Sequence, residues 1–266
     1  MSEPLSTYYT RMSDLIRIVT HSNGYANLGY CNSETEAPLN VNSTQRALVN
    51  KVVSKLNLKP GEIVVECGSG RGGPAQQVAA EYGCRVIGIE LLDEQLKHRV
   101  DGCASFLQAN VQQLPLCDAT IDAIYSIESA FHYPNKSQFL REVARVLKPG
   151  GRLAIADVVL RDNYRGSFYK RFLEKIFASP VFFSDEQYCK AASQAGLEFV
   201  AVDDITSGVA QGVRHLGGTV QQYQRELLSA GYSLCYLILI KVCTRFGRWL
   251  YWLQPGRYTT YMMVKR

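Results

Sequence analysis

Two places in the sequence combine residue types and spacing that could do chemistry. The first is VVECGSGRGGPAQQVA, residues 64–79, a short apolar run followed by glycines and then by helix-like text. A chain turns this way to bring its backbone close to a bound nucleotide. The second is a pair of side chains, His132 in ESAFHYP and Asp157 in AIAD, each at or just after an apolar run. Open α/β sheets bind ligands outside the carboxyl ends of their strands. A histidine there can take a proton, and a carboxylate beside it can orient the ring or stabilise its charged form. The competing readings are a histidine held within its own loop and a strand-end acid satisfied by backbone amides.

The glycines alone leave the nucleotide open. Gly68, Gly70 and Gly73 satisfy G-x-G-x-x-G, the dinucleotide fingerprint. Glu66, Gly68, Gly70 and Gly72 also read as acid-x-G-x-G-x-G. A carboxylate at the end of the first strand would repel a pyrophosphate and would suit an ammonium. S-adenosylmethionine carries an ammonium and no phosphate, so Glu66 tips the choice toward it. Glu90 ends the second strand, where a carboxylate can accept hydrogen bonds from ribose hydroxyls in either cofactor. Asn110 follows the third strand and could meet adenine.

These residues need elements to hold them. A helix is expected from a cap at Asn42 or Ser43 to about Leu56, followed by the turn KPGE. EIVVE, CRVIGIE, ASFLQA, IDAIYSI and the segment after KPGG read as strands one to five. Helices are expected over Pro74–Tyr82, Asp93–Val100 and Lys136–Leu147. Strand and helix in alternation imply a parallel sheet covered on both faces. Beyond Asp157 the text predicts helices over Ser167–Phe177 and Ser184–Ala195, the strand LEFVAVDDI, a long helical stretch and the closing strand RYTTYMMVK. Leu5–Thr20 reads as an irregular amphipathic helix, followed by the turn-rich loop HSNGYANLGYCNSETEAP.

Composition narrows the class. The 266 residues, 47% hydrophobic, can bury one large core. A net charge of +5, spread along the chain, argues against nucleic acid as the substrate. No N-P-P-Y-type motif is present to clamp a flipped base. The eight cysteines form no C-x-x-C pair, and with four scattered histidines no metal site is expected. The polar start MSEPLSTYYT and the cysteine usage suggest a reducing, cytoplasmic setting. The longest uncharged apolar-rich run, Leu227–Ile240, is short of the about 20 residues that span a bilayer.

Taken in order, the motifs resemble those of class I S-adenosyl-L-methionine-dependent methyltransferases. The nearest group is the small-molecule one that includes tocopherol methyltransferases and natural-product sugar and macrolide O-methyltransferases. ECGSGRGG resembles the first motif of that family and VIGIELLDEQL the second. ANVQQLPL and YSIESAFHYPNKSQFLREVARVLKPGGRLAIADVV resemble the later ones. The resemblance covers roughly Val41 to Asp204. It implies a Rossmann-like, seven-stranded, mostly parallel sheet with helices on both faces, an N-terminal helical lid and C-terminal helical additions. RYTTYMMVK would be the inserted antiparallel strand. By the same resemblance, Glu66, Gly68 and Gly70 hold the methionine moiety. Glu90 binds ribose, Leu91 packs on adenine with Gln95 nearby, Asn110 and the Val111 backbone read adenine, and Ser126 lies under the sulfonium. His132 becomes the base and Asp157 its partner. Cys67 stands where Val or Ile is commoner, and Glu90 and Asn110 where Asp is usual; Glu for Asp is chemically mild, whereas Asn110 keeps a carbonyl but loses the charge, so adenine affinity is expected to fall.

The resemblance also implies one domain over 1–266. Residues 1–40 form its lid, 41–160 the cofactor core, 161–183 a roof over the substrate, and 184–266 the rest of the core with added helices. YANLGY resembles a lid segment in which Tyr30 touches the cofactor or only packs. Aromatics there (Tyr25, Tyr30, Phe168, Phe172, Phe182, Phe183) suit an apolar acceptor or ordinary core packing. In 232–253, Lys241, Arg245 and Arg248 precede Trp249 and Trp252. That is either an interfacial helix in peripheral contact with a membrane or a packed helix with a solvated basic face. The expected reaction is methyl transfer to a hydroxyl of a small, fairly apolar acceptor. Alternatives are C- or N-methylation, a non-catalytic binding scaffold and a nicotinamide enzyme, the last disfavoured by Glu66. The oligomeric state is not legible.

Overall fold

A computed structural model describes residues 15, 18, 19, 24–31, 40–160, 182–235, 237, 238, 240, 241 and 256–266. The expected helix over 167–177, most of the roof at 161–183, most of the amphipathic helix over 5–20 and most of the basic–aromatic tail lie outside these residues.

Seven strands form one sheet in the order β3-β2-β1-β4-β5-β7-β6. They are β1 Ile63–Cys67, β2 Arg85–Glu90, β3 Ser105–Gln108, β4 Ile121–Ile127, β5 Leu147–Leu160, β6 Leu197–Asp204 and β7 Gly256–Lys265. The first five pair in parallel, and β7 runs antiparallel between β5 and β6. The inserted strand is therefore the closing RYTTYMMVK, as the resemblance implied. Val64, Val65, Ile89, Ile124, Leu153 and Ile155 are fully buried, which is why these strands read as continuous apolar runs.

Seven α-helices are described: α1 Val41–Val53, α2 Gly73–Tyr82, α3 Asp93–Lys97, α4 Lys136–Val146, α5 Asp185–Gln194, α6 Thr206–Gln222 and α7 Gln224–Ser229. Two core clusters flank the sheet, and a third, smaller one lies around Leu237. One joins the sheet to α1, α2 and α6 through residues such as Leu48, Val78 and Val209. The other joins it to α4 and α5 through Phe139, Val143, Tyr188 and Ala192.

Two local expectations need correction. The cap of α1 is Asn40, whose side chain accepts from the Ser43 amide while the Ser43 hydroxyl accepts from the Asn40 amide. Ser43 is thus the reciprocal partner and not the cap. The helix expected to reach Val100 ends at Lys97, because the Val100 amide turns away to donate to Arg71 O at 2.9 Å. That bond ties the chain to the glycine turn.

No described helix is long and apolar enough to cross a membrane. Leu237 is buried with Leu15, Val19, Val220 and Leu227, whereas Leu234 and Ile238 are exposed. The described part of the tail therefore packs one face against the N-terminal segment and α6.

Candidate active site

The carboxyl ends of β1, β2 and β4 converge on the glycine turn. The amides of Gly68 and Ser69 both donate to Ile89 O, at 2.8 and 3.0 Å, so the turn folds back over β2. Gly68 has φ 76, and a Cβ there would lie 1.8 Å from Ser129 Oγ. Gly70 has φ 52, but a Cβ there would meet nothing within 4 Å. One glycine lets the turn close against the protein, and the other leaves its outer side open to a ligand.

Glu66 is buried at the end of β1. Burial pushes its carboxyl well above the usual range, only partly offset by the Tyr125 hydroxyl at 3.3 Å and the Ala75 amide. A carboxylate so placed gains from an arriving ammonium. Glu90, at the end of β2, accepts from Gly70 N at 2.8 Å and Leu92 N at 2.9 Å. Burial raises its pKa, and those amides pull the other way. Two carboxylate oxygens offer about four acceptor sites, so room remains for ribose hydroxyls. Leu91 beside it is an exposed large apolar side chain, available to a planar base, and Gln95 is buried one turn on. Asn110 follows β3 in an exposed position with its Oδ1 accepting from Gln112 N at 2.9 Å. Its amide nitrogen is then the end left to meet an adenine acceptor. Val111 is buried next to it. These residues fit S-adenosylmethionine, with a buried acid for its ammonium, an open glycine for close approach, and an acid for its ribose.

Ser126 is fully buried at the end of β4, where its Oγ donates to Cys67 O at 3.1 Å and lies 3.2 Å from Tyr133 Oη. It ties β4 to β1 directly under the glycine turn.

His132 lies in the short turn Ala130–His132 just past β4. Asp157 lies inside the adjacent β5, which runs on to Leu160 because β7 continues to pair with it, and does not end at Asp157 as expected. They are not hydrogen-bonded to each other. Asp157 accepts from the Tyr188 hydroxyl, from Val158 N at 2.9 Å and from the Phe131 amide, with Lys136 as its nearby cation. Burial pushes Asp157 up to about 6. Burial and the Lys136 charge push His132 down to about 3, so its imidazole is neutral at physiological pH. Lys136 is itself completely buried, with its ammonium 5.3 Å from the Phe183 ring centre and its pKa lowered by burial to about 8.

Several residues here escaped sequence reasoning. Glu128, one residue beyond β4, sits within the quoted ESAFHYP. An acid just past a strand end was the available signal. Lys136 reads as an ordinary first-turn helix residue, and Tyr188 as a helix-face aromatic. Tyr30 packs its ring near Lys51 and Gly208, on the α1–α6 side. Tyr25 instead approaches the cofactor end, donating to Gln77 Oε1 at 2.8 Å and lying close enough to Glu66 to feel its charge.

Comparison with known proteins bears on the family and the fold. Residues 65–155 match the family described as methyltransferase domain. The chain is 30% identical over 216 residues to methyltransferase GfsG of Streptomyces halstedii, covering 77% of this chain and 76% of that protein. It is 29% identical to O-methyltransferase rstn1 of Aspergillus nomiae, over 77% of this chain and 95% of that one. In fold it is similar to the cyclopropane synthase MmaA2 of Mycobacterium tuberculosis. The TM-score is 0.82 at 18% identity, over 99% of this chain and 98% of the other.

Proposed function

Because this chain belongs to the class I S-adenosylmethionine-dependent methyltransferases that act on small molecules, we propose that it methylates a hydroxyl of a small, fairly apolar acceptor. One observation carries the choice of oxygen. His132 stands in the short turn just past the carboxyl end of β4, the end of the sheet where the acceptor would lie, and an imidazole placed there can take the proton that a hydroxyl must lose.

The cofactor supplies a methyl group already activated on sulfur. In this reading Glu66 receives its ammonium, Gly68 and Gly70 give it close backbone approach, and Glu90 accepts from its ribose. Leu91 and Gln95 flank adenine, Asn110 and the Val111 backbone read its edge, and Ser126 lies beneath the sulfur. His132 takes the acceptor proton at a ring nitrogen. Asp157, engaged by Tyr188, balances the buried Lys136 beside the imidazole. The stacked rings of Phe131 and Phe182, centroids 6.3 Å apart, give this end an apolar lining that suits an apolar acceptor. Residues 41–160 are then the cofactor core and 1–40 and 161–183 its covers, within one domain.

A second reading has its own support. An imidazole depressed to about 3 is a weak base, which suits C- or N-methylation of an acceptor that needs positioning more than proton removal. The deciding experiment incubates the protein with isotopically labelled S-adenosylmethionine and a panel of phenols, sugar hydroxyls, amines and lipid-like alkenes. The methylated atom is then located by mass spectrometry and NMR. Products labelled only on carbon or nitrogen would sink O-methylation. Tight S-adenosylhomocysteine binding with no product at all would favour a scaffold.

A further inference from the structure

Glu128 is the first residue past β4 and holds left-handed backbone, φ 51, a conformation that costs a non-glycine residue energy. Such strain persists where the surroundings use it. Its carboxylate accepts from Leu28 N with both oxygens, at 3.0 and 3.1 Å, and from the Tyr258 hydroxyl of β7 at 2.8 Å. Leu28 belongs to the stretch 24–31, whose other end is tied to the glycine turn, where Gly73 N donates to Gly24 O at 3.2 Å. The stretch therefore runs as a strap from the glycine turn to the end of β4. In the sheet, β4 lies next to β1, whose carboxyl end carries Glu66 and leads into the glycine turn. The two ties, on Gly73 and on Glu128, lie to either side of that end. The strap is also held by Gln45 Nε2 on Asn27 O, next to Leu28, and at its far end by Tyr30 N on Thr44 O and Cys31 N on Gly208 O.

We propose that Glu128 is a positioning residue for the cofactor, holding the 24–31 strap down across the end of β1 and so setting how fast the cofactor leaves. The contact is to a main-chain amide, so the strap's own side chains need not specify it. The proposal rests on the cofactor placement argued above, over the ends of β1 and β2.

The test uses the full chain and S-adenosylhomocysteine, with dissociation followed by a chase and affinity by calorimetry. Glu128→Ala should release the ligand about tenfold faster or more. Glu128→Gln keeps a carbonyl for Leu28 N–H, and its rate should stay within about threefold of wild type. Leu28→Pro removes the donor and leaves the carboxylate. It should reproduce Glu128→Ala, and the two changes together should add little. Leu28→Pro also carries the test by itself if Glu128→Ala does not fold. A wild-type dissociation rate in Glu128→Ala, or in Leu28→Pro, overturns the strap. So does a Glu128→Gln variant that loses turnover while releasing ligand normally, because the acid would then be moving a proton. Glu90→Ala separates the two layers. Unchanged affinity there removes the cofactor placement and the proposal with it. Weakened affinity there, beside a wild-type rate in Glu128→Ala, removes the strap alone.

Discussion

The Tyr188 hydroxyl donates to the Asp157 carboxylate, buried within β5, and the His132 imidazole does not. The two share a neighbour, the buried Lys136, whose positive charge lowers both their pKa values. Asp157 thus meets His132 through the field of a lysine and not through a hydrogen bond. Removing the Tyr188 hydroxyl leaves a buried carboxylate short of one donor. Tyr188→Phe should lose about 1–3 kcal/mol of stability in urea denaturation. An unchanged midpoint and slope would mean that solvent already serves that oxygen.

If His132 takes the acceptor proton, His132→Ala should lower kcat by about 10²–10⁴-fold. Affinity for S-adenosylhomocysteine should remain near wild type, because the proposed cofactor contacts lie at the ends of β1, β2 and β3 and at Ser126, and none of them is His132. Wild-type-like turnover would remove His132 as the base and favour transfer by positioning alone.

The same imidazole gives a pH signature in stability. Burial first, and Lys136 second, depress His132 from 6.5 to about 3. The unfolded chain therefore binds a proton that the folded one refuses between those values. The contribution is complete above pH 6.5 and is lost as pH falls toward 3. Glu128 and Asp157 act in the opposite sense, since burial raises both in the folded state, to about 7 and about 6. The difference between wild type and His132→Gln isolates the histidine. Melting temperatures of the two should converge or cross as pH falls from 6.5 to 4. A difference that stays constant with pH would show that the ring is solvated.

Much of this was legible in the sequence because it is local. The strands announce themselves as Val- and Ile-rich runs, since a parallel sheet buries both faces. Glu66 and the glycines lie within eight residues of one another. Glu128 was not legible, because its partners Leu28 and Tyr258 are 100 and 130 residues away in sequence. Lys136 escaped for a related reason. A lysine behind the Asn135 cap reads as solvated, yet packing against Phe183 and the charge of Asp157 hold it wholly inside. The short α3 reflects the same limit, since only the fold brings Val100 to Arg71.

The glycines of the turn should separate by function. At Gly68, a methyl group would collide with Ser129 on backbone already at φ 76. Gly68→Ala should therefore cost stability beyond the roughly 1 kcal/mol of a left-handed alanine. At Gly70 the space is open and φ is 52. Gly70→Ala should cost only about 1 kcal/mol of stability, yet weaken S-adenosylhomocysteine binding because the methyl occupies the ligand's side. Equal cofactor affinity in wild type and Gly70→Ala would show that the ligand does not approach that residue.

Glu66 makes the sharpest separation of stability from function. Its carboxyl is raised by burial above all, and the Tyr125 hydroxyl only partly compensates. With a folded pKa above the unfolded one, ionised Glu66 opposes folding. The penalty is absent below about pH 4.5 and grows as pH rises toward the folded value. Glu66→Gln keeps a carbonyl for the Tyr125 hydroxyl and removes the charge. Without ligand at pH 8 it should be more stable than wild type by about 0.5–2 kcal/mol. The same change removes the group proposed to receive the cofactor's ammonium. The added ligand should then stabilise the variant far less than wild type, and the order of the two melting temperatures should reverse at saturating S-adenosylhomocysteine. If the variant is less stable without ligand yet responds normally to it, Glu66 is a structural acid and the ammonium sits elsewhere.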